Sequence, residues 1–504
     1  MENHFNLVEE NWIPVADVGK VSLRRIFEDS TLTTLGGTPV QKISVMKLLL
    51  AIAQAAYTPK DDAEWEALGV EGLAAKCLAY LEDKKTCFWL YGERPFLQMP
   101  KTKAAATLSV GALIPDVAVG NTTVHFQTQK ERVFDDSELA LTLIQDTGFA
   151  FSGKKADNNV VLTPGYTGKT KPNGKKTSGV SGPSLGFKGL LHHFWAGSNI
   201  VSSIYLNLFT NKDINTMAIF SSGLGVPPWE EMPHGEDDEI ARQLKNSYMG
   251  RLIPLSRFVY LNQGVFHYTE GIKHENYNDG IWDPSTAVNR TKSKVTTFWV
   301  DPSKKPWRNL TAILSFMGND TSFECFQIQL PYRRVLKAMN EFGLWSGGIS
   351  VSSNAGEQYC SGTDDVVESV VMLFSDVVRK EDWYPVLEKE MAGLDQLSKN
   401  LWGSLTGYFQ EMKVEPNRYK KIIQKAQTEF WQLCENNFQD LVDLCSDETE
   451  IERFRKIFAG YVNQLYDKYC PKENARQMAA WAKCRPRLGK YLKNKKEDAN
   501  DNNQ

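Results

Sequence analysis

Thiols, imidazoles and carboxylates carry most metal and covalent chemistry, and the spacing of these residues in this sequence assembles none of the familiar sites. Its eight cysteines, at 77, 87, 325, 360, 434, 445, 470 and 484, form no CxxC pair, which leaves neither a zinc ribbon nor a dithiol motif. The seven histidines (4, 125, 192, 193, 234, 267 and 274) lack metal-ligand spacing, and adjacent His192 and His193 would point apart. Gly168-Lys169-Thr170 invites a phosphate loop, but GYTGKT has two residues between its glycines where the motif needs four, and no apolar helix follows. Asp364, Asp365 and Glu368 could hold Mg²⁺ in a nuclease, although an acid-rich helix start accounts for them more simply. The expectation is no catalytic residue, no metal and no cofactor.

Three stretches offer binding chemistry instead. Residues 148–193 hold nine glycines and seven lysines in 46 positions, which excludes a long regular element. Within them Gly182, Pro183, Ser184, Gly186, Lys188 and Gly189 read as a side-chain-poor backbone ledge that a ligand can approach closely, with the upstream lysines attracting phosphates. A flexible Gly/Lys linker is an equal reading of the same composition. The second stretch, WSGGISVSSNAGEQYCSG from Trp345 to Gly362, reads as a short hairpin. Its tip residues Ser352, Ser353, Asn354, Ala355, Gly356 and Gln358 are small or amide-bearing, so they can reach base edges but carry no proton chemistry. An ordinary surface hairpin fits as well. The third, Phe126, Gln127, Gln129, Lys130 and Arg132 in a polar loop, could stack and neutralise a single strand, or could be plain solvated surface. Lys273 lies in a turn between strand-like runs and could reach into a groove.

The elements that must position these residues follow from periodicity. With 504 residues, 42% of them hydrophobic and 24% charged, the chain has material for roughly two to four domains with a sizeable core. Lys42–Tyr57 and a run around Ala63–Lys84 are expected helices, and Phe258–Leu261, Val265–Tyr268, Val295–Val300 and Ser322–Leu330 expected strands. From Asp364 the pattern turns to long amphipathic helices: Asp364–Val378, Val386–Met412, Arg418–Cys445 and Glu448–Tyr469, then a last one opened by Pro471. The fold class expected is therefore α+β, a mixed N-terminal globular domain over 1–363, followed by a C-terminal antiparallel four-helix bundle over 364–496 and a disordered tail, 497–504. No leader peptide and no membrane span is expected, and scattered thiols fit a reducing cytosol. The net charge of −3 hides local asymmetry: eight basic residues and no acid over 475–496, against seven acids and no base over 435–452.

Taken together, FNLVEENWIPV, ERPFLQMP, SGPSLGFKG, IWDP and LWSGGISVSSNAGEQYCSGTDDVVES make the chain resemble, over essentially its whole length, the CasA family, the large subunit of the type I-E CRISPR Cascade complex. The resemblance implies a non-catalytic subunit of a crRNA-guided assembly. Such a subunit meets the 5′ handle of the guide, recognises the protospacer-adjacent motif in double-stranded target DNA from the minor groove, begins strand separation and recruits a helicase-nuclease. Other implied partners are the backbone, handle-binding and small Cascade subunits. By position, the family's glycine loop falls on Gly182–Gly189, its lysine finger on Lys273, its wedge hairpin on Ser352–Gln358 and its guide-handle loop on Phe126–Arg132. Where the family places a Gln at the hairpin tip, this tip reads SSNAGEQ, so that Asn354 or Gln358 would serve. The rival classes are a stand-alone metal-dependent nuclease and a purely architectural scaffold.

Overall fold

The computed structural model describes residues 2–108, 113–114, 133–152, 160–161, 182–262, 264–275, 282–291, 294–318, 322–352, 358–360 and 365–492. The guide-handle loop 126–132, the hairpin tip 353–357 and the lysines at 154, 155, 169, 171, 175 and 176 lie outside them. The chain divides into two units, Met1–Val370 and Val371–Gln504.

The first unit is mixed α and β around one helix, Pro39–Ala56, which is buried on nearly every face. Thr38 starts it with a reciprocal capping box to Gln41, and Pro39 occupies the first turn, where its missing N–H costs nothing. This helix packs against the Asp62–Asp83 helix, the Asp136–Phe149 helix and the strand Glu341–Ile349. Asp135 caps the Asp136–Phe149 helix, again with a capping box, to Glu138. The strand Glu341–Ile349 is the middle of three, with His192–Ala196 antiparallel on one side and Val366–Phe374 on the other. A separate hairpin joins Arg257–Asn262 to Val265–Glu270; the register Asn262 to Val265 leaves a two-residue turn, and Gly264 supplies the positive φ it needs.

In the second unit three long helices, Trp383–Glu411, Pro416–Glu435 and Glu448–Tyr469, pack on one another pairwise, and Ala475–Lys483 lies against the first. Among the described residues no helix is long and apolar enough to cross a membrane.

Several expected elements differ from those observed. The helix expected over Asp364–Val378 is instead the strand Val366–Phe374 followed by one turn, Ser375–Val378. Valines in this run satisfy both periods, but Val367, Val371 and Leu373 are the buried ones, all odd positions, as a pleated strand demands. The strand expected over Ser322–Leu330 shrinks to Phe323–Glu324, and Phe326–Gln329 forms a helical turn. Gln327 and Ile328 are both buried there, and the Gln327 amide donates to the Asn207 carbonyl at 2.8 Å. Val295–Val300 contributes only Thr296–Thr297 as strand. The helix expected over Arg418–Cys445 breaks into Pro416–Glu435 and Phe438–Leu444, and at the break the Asn437 amide donates to the Tyr461 hydroxyl at 2.7 Å. The short hairpin expected after Ile349 falls in the connection between two longer paired strands, Glu341–Ile349 and Val366–Phe374.

Candidate nucleic-acid interface

The glycine loop turns tightly because three of its glycines sit where no side chain fits. Gly186 and Gly189 have φ of +62° and +92°, and a Cβ on Gly189 would fall 1.7 Å from the Ile349 carbonyl oxygen. A Cβ on Gly182 would lie 2.8 Å from the Gly148 oxygen, where the loop is clamped to the end of the Asp136–Phe149 helix. That clamp consists of Gly182 N donating to Ala150 O at 2.8 Å and Ser184 N donating to Gly148 O at 3.1 Å. The composition of residues 148–193 left a flexible linker open as a reading; at Gly182–Gly189 the chain is instead a fixed turn.

The hairpin neck rests on this loop. Val351 N donates to Lys188 O at 3.1 Å, and the neck is closed by Ser352 N to Tyr359 O at 3.0 Å and Tyr359 N to Ser352 Oγ at 3.1 Å. Gln358 is the latch between them. Its Nε2 donates to the carbonyls of Phe187 (3.0 Å) and Gly186 (3.2 Å), while its Oε1 accepts from Ser152 N at 2.9 Å. With 2% of its surface exposed, Gln358 faces inward and is not a free amide at the tip. The expectation that Asn354 or Gln358 wedges is corrected for Gln358, whose amide is consumed by backbone partners; Asn354 lies outside the described residues.

Beneath the loop a buried polar network joins it to the segment carrying Lys273. Lys47, from the middle of the central helix, donates to Ser184 Oγ at 2.8 Å and to Arg251 O at 3.3 Å, and is ion-paired with Asp283. Burial alone would push the Asp283 carboxyl up; the Lys47 ammonium beside it outweighs that and holds it well below the usual carboxylate range. Asp283 accepts from Ser285 N at 3.0 Å, the Ser285 hydroxyl lies between Asp283 Oδ1 and His192 Nδ1 (2.8 Å from the latter), and His192 Nε2 meets the Ser184 carbonyl at 2.8 Å. Burial drives His192 down to about 4 and His193 to about 3, so both rings are neutral at neutral pH. As neighbours on a strand they face opposite sides, His193 meeting Ser346 Oγ at 2.7 Å.

Lys273 is itself exposed, on a base that is fixed. Gly271 N donates to Ser256 O (3.0 Å), Ile272 N to Leu255 O (2.9 Å), and His274 Nε2 meets Pro254 O at 2.6 Å. Ser256 N in turn donates to Thr147 O (3.0 Å), one residue before the carbonyl that clamps the glycine loop. The last turn of the Asp136–Phe149 helix is thus a common support for the finger base and the glycine ledge.

Of the acids weighed as metal ligands, Glu368 is occupied elsewhere: its Oε1 accepts from Lys42 Nζ and Trp345 Nε1, each at 2.6 Å. Among the described residues no group of three or more His, Cys, Asp or Glu side chains converges as a metal site. Lys47 was not expected as a support of the candidate site, and Gln358 was expected at the hairpin tip and not as its latch. The signal for Lys47 was there, a lysine inside an otherwise apolar helix, which needs a buried partner.

The fold is that of several solved structures. Thermobifida fusca Cse1 superposes with a TM-score of 0.75 at 17% identity, covering 97% of this chain and 96% of that one. A crystal structure of Thermus thermophilus CasA gives 0.72 at 18% identity over 97% and 99%. A chain described as a CRISPR RNA-guided surveillance complex gives 0.68 at 16% identity over 98% and 100%. In sequence, the model of the family described as CRISPR-associated protein Cse1 matches residues 6–468, and the chain belongs to that family. A CRISPR-associated protein CasA/Cse1 from Thermus thermophilus is 24% identical over 345 residues, a stretch that spans 62% of this chain and 61% of that relative.

Proposed function

We propose that this chain is the non-catalytic large subunit of a crRNA-guided Cascade complex, which recognises a protospacer-adjacent motif in duplex DNA from the minor groove and starts strand separation. Membership of the Cse1 family and the likeness to a chain of an RNA-guided surveillance complex support the assignment. The observation that carries the mechanism is the latch: Gln358 and Val351 tie the neck of the hairpin to the carbonyls of the glycine loop, so that ledge and neck form one block.

The minor groove offers a degenerate acceptor pattern, for which a glycine ledge, the exposed Lys273 amine and a slim hairpin suffice. Unstacking one base step costs a few kcal/mol, which phosphate contacts and guide pairing offset, and base pairing then reads the sequence. In this reading Pro183, Gly186 and Lys188 approach the duplex on a turn that buried Gly182, Ser184 and Gly189 hold in place, which corrects the expectation that these three meet DNA themselves; Ser352 to Gly356 part the duplex, and Phe126 to Arg132 meet the guide handle. The protein works in the cytoplasm. The first 363 residues read nucleic acid, and the helices from Trp383 onward, arranged as an antiparallel four-helix bundle, dock other Cascade subunits. Target binding then recruits the helicase-nuclease.

Lys273→Ala tests this reading. In the reconstituted complex it weakens duplex binding and lowers the slope of log affinity against log salt by about one unit, with the melting temperature unchanged. Unaltered affinity in a gel shift counts against the reading, as does cleavage of labelled DNA by the purified chain with Mg²⁺.

A further inference from the structure

The glycine ledge is not bare. Phe187, at its apex, is 49% exposed, one of the few large apolar side chains so open among the described residues. Its backbone is held from both sides: Gly186 before it turns through a positive φ, and its own carbonyl accepts from Gln358 Nε2. The ring stands edge-on to half-buried Trp299, centroids 6.5 Å apart at 72°, and next in sequence comes exposed Lys188. An apolar ring fixed at a turn, half in solvent and followed by a cation, has had its ordering entropy met by the fold while its own contact is unmade.

We infer that Phe187 is a nucleobase-stacking residue, which receives a base unstacked at the recognised motif while Lys188 meets the adjoining phosphate; this rests on the DNA-reading function proposed above. The size of the patch favours that occupant. A protein partner needs roughly 800 Å² per side, whereas the exposed apolar surface here is, among the described residues, Phe187 with the edge of Trp299, and one ring beside one cation matches one nucleotide. The position favours it too, because the same Gln358 that fixes the Phe187 carbonyl also holds the neck of the hairpin, so a base displaced at the hairpin is displaced beside the ring.

Complexes reconstituted with Phe187→Ala, Phe187→Leu, Phe187→Trp or Lys273→Ala, bound to duplex carrying 2-aminopurine beside the motif, test the inference. Loss of one base–aromatic stack is expected to weaken binding by about five- to a hundredfold, and to reduce the 2-aminopurine signal. Leu, which has bulk but no π face, behaves like Ala, and Trp retains binding. The salt slope stays unchanged in Phe187→Ala, since a stack releases no counterion, whereas Lys273→Ala lowers it. Three results overturn the inference: parental binding by Phe187→Ala while Lys273→Ala is weakened, rescue by Leu, or failure of Phe187→Ala to assemble with the other subunits. If Lys273→Ala and Phe187→Ala both bind as the parent does, the DNA-reading function itself fails.

Discussion

At the scale of single residues, the glycine loop depends on buried side chains beneath it. Lys47 and Asp283 are each about 96% buried or more, and their pairing fixes the hydroxyl of Ser184 within the glycine loop. Two ions taken out of water are tolerable only together, so removing one leaves the other uncompensated. Lys47→Met is expected to lower the unfolding free energy by about 3–5 kcal/mol, measured by urea denaturation. Adding Asp283→Asn, which keeps the acceptor for Ser285 but removes the charge, recovers part of that loss. A double variant as unstable as the sum of its singles would show that the pair is not what holds the loop. Phe187 and Gln358 make the complementary point: the apolar residue is outside and the amide inside, the reverse of what their types suggest, because the amide has three backbone partners at one place.

At the scale of elements, local periodicity located the helices well and was misled where one run fits two periods. Glu448–Tyr469 was legible to the residue, and the Lys42–Tyr57 and Ala63–Lys84 expectations fall on observed helices. Val366–Phe374 was not legible, because its valines suit a helical stripe as well as a strand until a neighbouring strand chooses between them. Register between the C-terminal helices has its own device. Glu390, on Trp383–Glu411, and Arg455, on Glu448–Tyr469, form a buried two-bond pair, one arm of it Nε to Oε2 at 3.0 Å. The Glu390 carboxylate raises the Arg455 guanidinium above its ordinary value. Glu390→Ala is expected to cost about 3–5 kcal/mol in the circular-dichroism unfolding curve, by leaving a buried guanidinium alone. Replacing both by apolar residues of similar volume, Glu390→Leu with Arg455→Met, restores most of it. Equal losses in the single and the double variant would contradict this account of the pair.

At the scale of the whole molecule, three buried histidines set a response to acid. Burial is the main cause of the low values of His192 (about 4), His193 and His274 (each about 3). Lys47 pushes His192 down further and Asp283 partly offsets it; His192 lowers His193, and Arg251, Lys245 and Lys47 lower His274. Since the unfolded chain takes up these protons near pH 6.5 and the folded chain does not, the stability they contribute is complete above that pH and is lost as pH falls toward 4. The urea midpoint is expected to drop between pH 6.5 and 4.5, with a slope approaching three protons, and His193→Gln makes the drop shallower by about one. A midpoint that is flat over this range would refute it.

The sequence by itself determined the mixed α+β class, the run of amphipathic helices toward the C-terminus, the position of the glycine turn and, through its motifs as a set, the family. These are properties of residue type and near-neighbour spacing, which the chain carries wherever it is folded. Only the tertiary structure decided that Gln358 is a latch and not a tip, that Lys47 braces the glycine loop, and that Phe187 stands open. Gln358 and Ser152 are 206 positions apart, and Lys47 and Asp283 are 236 apart. Over such distances no local period records which groups will meet, and a polar or apolar side chain is assigned its place only when packing chooses its partners.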